Sequence, residues 1–183
     1  MIRSLGDKKP KIHHTAFVSE TAYVVGDVEI GEGSSIWPGT VIRGNLSKIK
    51  IGKYVNIQDN CVVHSEENSM TTIGDYVSMG HKVMCHATSV EDNCLLGNGS
   101  VVNSYTTIRY NSLIAAGSVV LERVEIPANS LVVGVPGEVR RTISQRHIDL
   151  INKIWKDYSG YAKEFKEYGL EDDNRDIFND ANV

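Results

Sequence analysis

Apolar residues recur at every sixth position over most of the chain. From Val18 the series runs Val24, Ile30, Ile36 and Ile42. After three extra residues it resumes as Ile51, Ile57 and Val63, and after four more as Ile73, Met79 and Cys85. One residue is then missing, and the series continues as Val90, Leu96, Val102, Ile108, Ile114, Val120, Ile126 and Val132. Four residues beyond these positions the side chain is mostly small or modest, as at Ser34, Thr40, Cys61, Ser100, Thr106, Ser112 and Ser118. A helix face recurs every 3.6 residues, so a period of six is not helical. It is a multiple of two, which keeps the apolar side chain on one side of an extended strand. Six extended residues span at most ~20 Å. Segments that turn after each repeat, three to a coil, make a triangular prism. The apolar series fills its axis and the small residues fit its corners. Such a solenoid buries one continuous core by stacking coil on coil. The expected fold is therefore an all-β solenoid, a parallel β-helix over residues 10–135.

The pattern changes after Pro136-Gly137, which ends the prism. Ile148, Ile151, Ile154, Trp155, Tyr158, Tyr161, Ala162 and Phe165 follow helical spacing. Ser144 is placed as an N-cap and Gly169 as the residue just past the C-terminus. The expected division is a prism over 1–137, a C-terminal α-helix packed on it over 138–169, and an acidic tail over 170–183. The tail carries Glu171, Asp172, Asp173, Asp176 and Asp180, and is expected to be frayed or weakly docked.

A length of 183 residues suits one domain. A net charge of −4 and a pI near 5.9 argue against nucleic acid or an anionic membrane as the main partner. No apolar stretch approaches the ~20 residues of a membrane span. Residues Met1 to Asp7 lack the apolar core of a signal peptide, so a cytoplasmic location is expected. Cys61, Cys85 and Cys94 fall at inward positions and are expected to be reduced core thiols.

Three histidines interrupt the repeat. Placing the extra residues in outward loops puts Ile42, Val63, Cys85, Val102 and Val120 on one face in successive coils. The residues just after them, Arg43, His64, His86, Asn103 and Leu121, then form a column along one edge. His64 and His86 become neighbours one coil apart, ~4.8 Å at strand spacing, where two imidazoles can share one ion. His81 belongs to the preceding face, in a column with Asp59 and Pro38. Five extended residues, ~16 Å, separate it from His86. That is too far for two bonds of about 2.0–2.1 Å to one zinc. A threefold axis sets one face of a prism against a different face of its neighbour, so a homotrimer would bring the three together. His64 and His86 of one subunit would meet His81 of the next. His13, His14 and His147 have no such relation and are expected on the surface.

Trp37-Pro38-Gly39, Arg43-Gly44-Asn45, Asn56-Ile57-Gln58-Asp59, His64, Gly80-His81 and His86 together resemble the motifs of the γ-class carbonic anhydrases. The resemblance extends to the exit Val133-Gly134-Val135-Pro136-Gly137 and the C-terminal helix. It implies a left-handed β-helix, a homotrimer with interfacial Zn2+ sites (Fe2+ or Co2+ in some members), and reversible hydration of CO2 to bicarbonate and a proton. Carried over by position, His64, His81 and His86 would be the metal ligands. Gln58 would orient the reacting water and Asn56 would position CO2 or bicarbonate. Arg43 and Asp59 would pair across the subunit interface. Glu67, and Tyr158 on the helix, are the candidate proton-transfer residues. The family usually has Arg-Gly-Asp where this chain has Arg43-Gly44-Asn45, which removes one interfacial carboxylate. Two other functions use the same repeat: a CoA-dependent acyltransferase with one histidine as general base, and a non-catalytic metal-binding or assembly protein.

Overall fold

The computed structural model describes residues 1–172 and 177–178. They form a left-handed parallel β-helix with one C-terminal helix. The handedness runs against the usual right-handed crossover. One face stacks Phe17–Val18, Ser35–Ile36, Asn56–Ile57, Ser78–Met79, Leu95–Leu96, Leu113–Ile114 and Ser130–Val133. The second stacks residues 23–25, 41–43, Val62–His64, Met84–Cys85, Val101–Val102 and Val119–Val120. The third stacks residues 28–30, 49–51, Thr71–Ile73, Ser89–Val90, Thr107–Ile108 and Glu125–Ile126.

The six-residue series lines the axis. Val18, Ile36, Ile57, Met79, Leu96, Ile114 and Val132 are all fully buried, as are Ile42, Val63, Cys85, Val102 and Val120. The small corner residues are buried too, and the hydroxyls of Ser34, Thr40, Thr106 and Ser112 donate to carbonyls of the next coil. Ser34 Oγ donates to Gly52 O at 2.7 Å and Thr40 Oγ1 to Gln58 O at 2.6 Å. These bonds satisfy carbonyls that a turn would otherwise leave orphaned.

Two long strands depart from the regular turns. Tyr23–Ile30 and Val41–Ile51 run without a break from the second face to the third and pair along their length. Gly26 sits at the bend with φ +87°, and a Cβ there would meet Gly44 O at 2.4 Å. A Cβ on Gly44 would meet Asp27 O at 2.4 Å. The two backbones pass so closely that only glycine fits. This corner sets Asn45 directly beside the histidine column.

The helix spans Gln145–Glu167. Ser144 N–H donates to His147 Nδ1 at 3.0 Å, closing a capping box at its start. At its end Gly169, at φ +71°, donates to Lys166 O and Leu170 donates to Phe165 O, a Schellman arrangement. One stripe of the helix buries Ile151 against Leu95, Leu113 and Ile143. Full burial of such a side chain stabilises by about 1.5–3 kcal/mol. Further along, Ala162, Tyr158 and Phe165 pack on Phe17 and Trp37. No helix among the described residues is long and apolar enough to cross a membrane.

Three features differ from the sequence expectations. Glu138–Thr142 forms an exposed strand, antiparallel to Ser130–Val133, before the helix begins. His13 is buried at 5% exposure, with Nδ1 2.8 Å from Thr15 Oγ1. Glu171 and Asp172 are docked: Asp172 is 8% exposed and accepts the Ile2 N–H at 3.0 Å. Asp173, Asp176 and Asp180 lie outside the described residues.

Candidate metal centre

His64 closes the strand Val62–His64, in register with Arg43 on the strand before it. His86 follows Met84–Cys85, the next strand on that face. The column read from the repeat is thus present, and the two rings meet. His64 Nδ1 lies 3.0 Å from His86 Nε2. Each ring also has an outer partner, and those partners decide where the protons are. Arg43 donates to Asn45 Oδ1 at 2.7 Å. A guanidinium can only donate, so it fixes that amide oxygen as an acceptor. The same oxygen lies 2.8 Å from His64 Nε2, which therefore carries the ring proton. His86 Nδ1 lies 2.9 Å from Glu66 Oε1, and a carboxylate likewise takes a proton donor.

It follows that in the neutral rings the two facing nitrogens are both lone pairs. Lone pairs 3.0 Å apart are relieved by a shared proton or by a metal ion beside them. Two nitrogens bound to one zinc at about 2.0–2.1 Å each must lie within about 4.2 Å of one another, and these do. Burial, followed by the Arg43 charge, holds the His64 imidazole below its ordinary pKa, which favours the neutral form that can ligate. Hydrogen bonds from Ser104 and then His86 hold the Glu66 carboxyl below its ordinary value, so it stays ionised. The donor set and its outer partners fit a divalent metal.

His81 stands at a different corner, after Ser78–Met79 and Gly80. Its Nδ1 lies 2.9 Å from Asp59 Oδ2, which leaves Nε2 as the lone-pair nitrogen. Its backbone N–H donates to Asn98 Oδ1 at 3.1 Å. Among the described residues of one chain, no three His, Cys, Asp or Glu side chains gather around a common point. Cys85, beside His86 in sequence, is fully buried on the axis, and burial pushes its thiol up to about 11.

The remaining candidates divide. Gln58 and Asn56 are buried at 5% and 1% exposure. Gln58 Nε2 donates to Asn56 Oδ1 at 3.0 Å, and Asn56 Nδ2 donates to Ser78 Oγ at 2.7 Å. This chain fixes both amides beside Asp59. Arg43 is exposed and bonds Asn45 within its own chain, while Asp59 bonds His81. Tyr158 packs edge-on against Trp37, ring centroids 5.2 Å apart. Burial, followed by the nearby Asp59 charge, raises its hydroxyl pKa. Glu67 is exposed in the turn after His64. Its neighbour Glu66 is the carboxylate that reaches the histidines. Sequence reasoning missed Glu66, because the six-residue frame does not set the phase of a side chain inside an inserted turn, and with it missed Ser104, which lies in the regular repeat two residues after Val102. The signal available was spacing: Ser104 lies 18 residues after His86, one coil further on.

Residues 9–44 match the model of the bacterial transferase hexapeptide (six repeats). A "Probable carbonic anhydrase" of Methanocaldococcus jannaschii is 46% identical over 151 residues, covering 82% of this chain and 95% of that protein. Gamma carbonic anhydrase 2 of Arabidopsis thaliana, a mitochondrial protein, is 36% identical over 163 residues, covering 86% of this chain and 59% of that protein. The crystal structure of a hexapeptide transferase family protein from Anaplasma phagocytophilum superposes with a TM-score of 0.86 at 32% identity, over 90% of this chain and 98% of that one. With the repeat, the facing histidines and these relatives in agreement, the chain belongs to the γ-class carbonic anhydrase family.

Proposed function

We propose that the chain catalyses the reversible hydration of CO2 to bicarbonate and a proton, in the cytoplasm, at sites shared between the subunits of a homotrimer. His64 and His86 of one subunit and His81 of the next would hold a divalent cation, Zn2+ or in its place Fe2+ or Co2+. The observation that carries this reading is the pair of lone-pair nitrogens, His64 Nδ1 and His86 Nε2, facing each other at 3.0 Å. When bound, such an ion supplies Lewis acidity and lowers the pKa of water to about 7.

The chain's own residues supply the rest. Asn45, Glu66 and Asp59 each hold a ring N–H, so the other nitrogen of each histidine is left to bind. Gln58, held by Asn56, is the group suited to orient the reacting water, and Asn56 to position CO2 or bicarbonate. Glu67 touches solvent and is suited to pass the product proton to bulk water. Tyr158, its hydroxyl kept protonated, is suited to donate a hydrogen bond beside Asp59 and His81. Arg43 and Asp59 sit at exposed edges from which they could pair across the interface.

The match over residues 9–44 and the similarity to a transferase-family structure favour a second reading, a CoA-dependent acyltransferase. That chemistry has no use for two facing lone pairs. A metal-binding or assembly protein without turnover is the third. Stopped-flow CO2 hydration on protein loaded anaerobically with zinc or iron separates them. Hydration proportional to metal content supports the first reading. A metal-free protein that acylates an acceptor supports the second, and full metal occupancy without turnover the third.

A further inference from the structure

We propose that Glu66 and Ser104 act as a positioning pair for His86, fixing the protonated nitrogen and tilt of its ring and thereby how tightly the centre holds its cation. The proposal rests on the metal-centre reading above and deepens it, because neither residue belongs to the motifs that identified the family.

The geometry ties three coils together at one corner. Glu66 lies in the turn inserted after His64, His86 is on the next coil, and Ser104 is on the coil beyond that. A single oxygen, Glu66 Oε1, accepts from Ser104 Oγ at 2.5 Å and from His86 Nδ1 at 2.9 Å. Ser104 Oγ is itself 3.4 Å from His86 Nδ1, so the three polar atoms close a triangle. The serine has one proton and spends it on the carboxylate, which leaves His86 Nδ1 as the second donor. The backbone of the turn is fixed as well. Ser69 N–H donates to Glu66 O at 3.3 Å, and Asn68 takes a left-handed conformation at φ 57°. Ser65 is fully buried and donates to Ser47 O at 2.8 Å, while Ser47 N–H donates back to Ser65 Oγ at 3.2 Å. The two chain insertions therefore brace each other, and the carboxylate projects from a fixed base. Without Ser104, a glutamate side chain that is 28% exposed has no second anchor against rotation into solvent.

Partners of this kind on a ligating histidine are worth about 10–100-fold in metal affinity. The test is the zinc dissociation constant of the full chain, measured by competition with a chromophoric chelator. It is read beside the visible absorption spectrum of the cobalt-loaded protein and the melting temperature of the metal-free protein. Glu66→Ala should weaken zinc binding about 10–100-fold and alter the cobalt spectrum. Ser104→Ala should weaken it by less and shift the spectrum in the same direction. Ser104→Thr keeps the hydroxyl and should restore both. If Glu66→Ala does not fold, the Ser104→Ala and Ser104→Thr pair decides alone. Wild-type binding at full stoichiometry with unchanged affinity and cobalt spectrum in the variants would overturn the positioning role while leaving the metal centre intact. A wild-type protein that binds no zinc or cobalt would overturn the metal centre and this proposal with it.

Discussion

Asp59 accepts a hydrogen bond from His81 Nδ1 at 2.9 Å, across one step of the prism corner. The histidine that stands apart from the other two thus has the same kind of carboxylate support that Glu66 gives His86. Both arrangements free Nε2. His64 is held the other way round, at Nε2 by the Asn45 amide, so three rings on two corners of one prism each keep one nitrogen free, which makes sense if they converge in an assembly.

That relationship makes Asp59 a test of the metal centre. Asp59→Ala removes the acceptor and is expected to raise the zinc dissociation constant by about 10–100-fold. Asp59→Asn keeps an acceptor oxygen but loses the charge, and should fall between it and the wild type. Chelator competition on the purified protein measures both.

Asn45 departs from the family pattern, and its amide oxygen serves both Arg43 and His64. Asn45→Ala leaves a guanidinium and a buried ring N–H without that acceptor. The cost of an unmade bond of this kind is about 1–3 kcal/mol. Urea unfolding of the metal-free protein should show a loss of that order. Asn45→Asp restores the family carboxylate next to Arg43 and should be at least as stable as the wild type.

Gly26 is where two strands nearly touch. Gly26→Ala forces a Cβ to within 2.4 Å of Gly44 O at a positive φ. Strained backbone positions cost on the order of 1–3 kcal/mol each, before any displacement of the neighbouring strand. The expected result is a lower urea midpoint together with weaker metal binding, since this corner carries Asn45 to His64.

Burial raises the Cys85 thiol to about 11 and the Cys61 and Cys94 thiols to about 12, from an ordinary value of 9.0. An unfolded chain would begin to lose these protons near pH 9 while the folded chain keeps them. Their contribution to stability is therefore complete below pH 9 and is lost as pH rises through 11 to 12. The melting temperature should fall on raising the pH above 9, and less steeply in Cys85→Ala. In the folded protein at pH 8 all three thiols should resist a chromogenic disulfide reagent, and should react once it is unfolded.

The frame of the prism was legible because the apolar period is long and survives three interruptions. Counting through the insertions placed Ile42, Val63 and Cys85 in one column, and they pair in that register. The meeting of His64 and His86 follows directly from that count. What lies outside the period was not legible. Glu138–Thr142 has no buried residue, so no pattern marks it as a strand. The long strands through Gly26 and Gly44 cross a corner where the repeat predicts a turn. Glu66 and Glu67 are adjacent in an insertion, and only the turn closed by Asn68 decides which one points inward. His13 is buried although it lies one residue beyond the apolar Ile12.

The central claim is that each metal centre draws on two subunits, and hybrid trimers test it most directly. His64→Ala and His81→Ala proteins should each purify without stoichiometric metal. After subunit exchange at equal concentrations, about a quarter of the sites in a cyclic trimer pair an intact His64 and His86 with an intact His81 from the neighbour. Metal content and CO2 hydration should then return to about that fraction of the wild type. Confirmed exchange with no recovered metal would contradict the account.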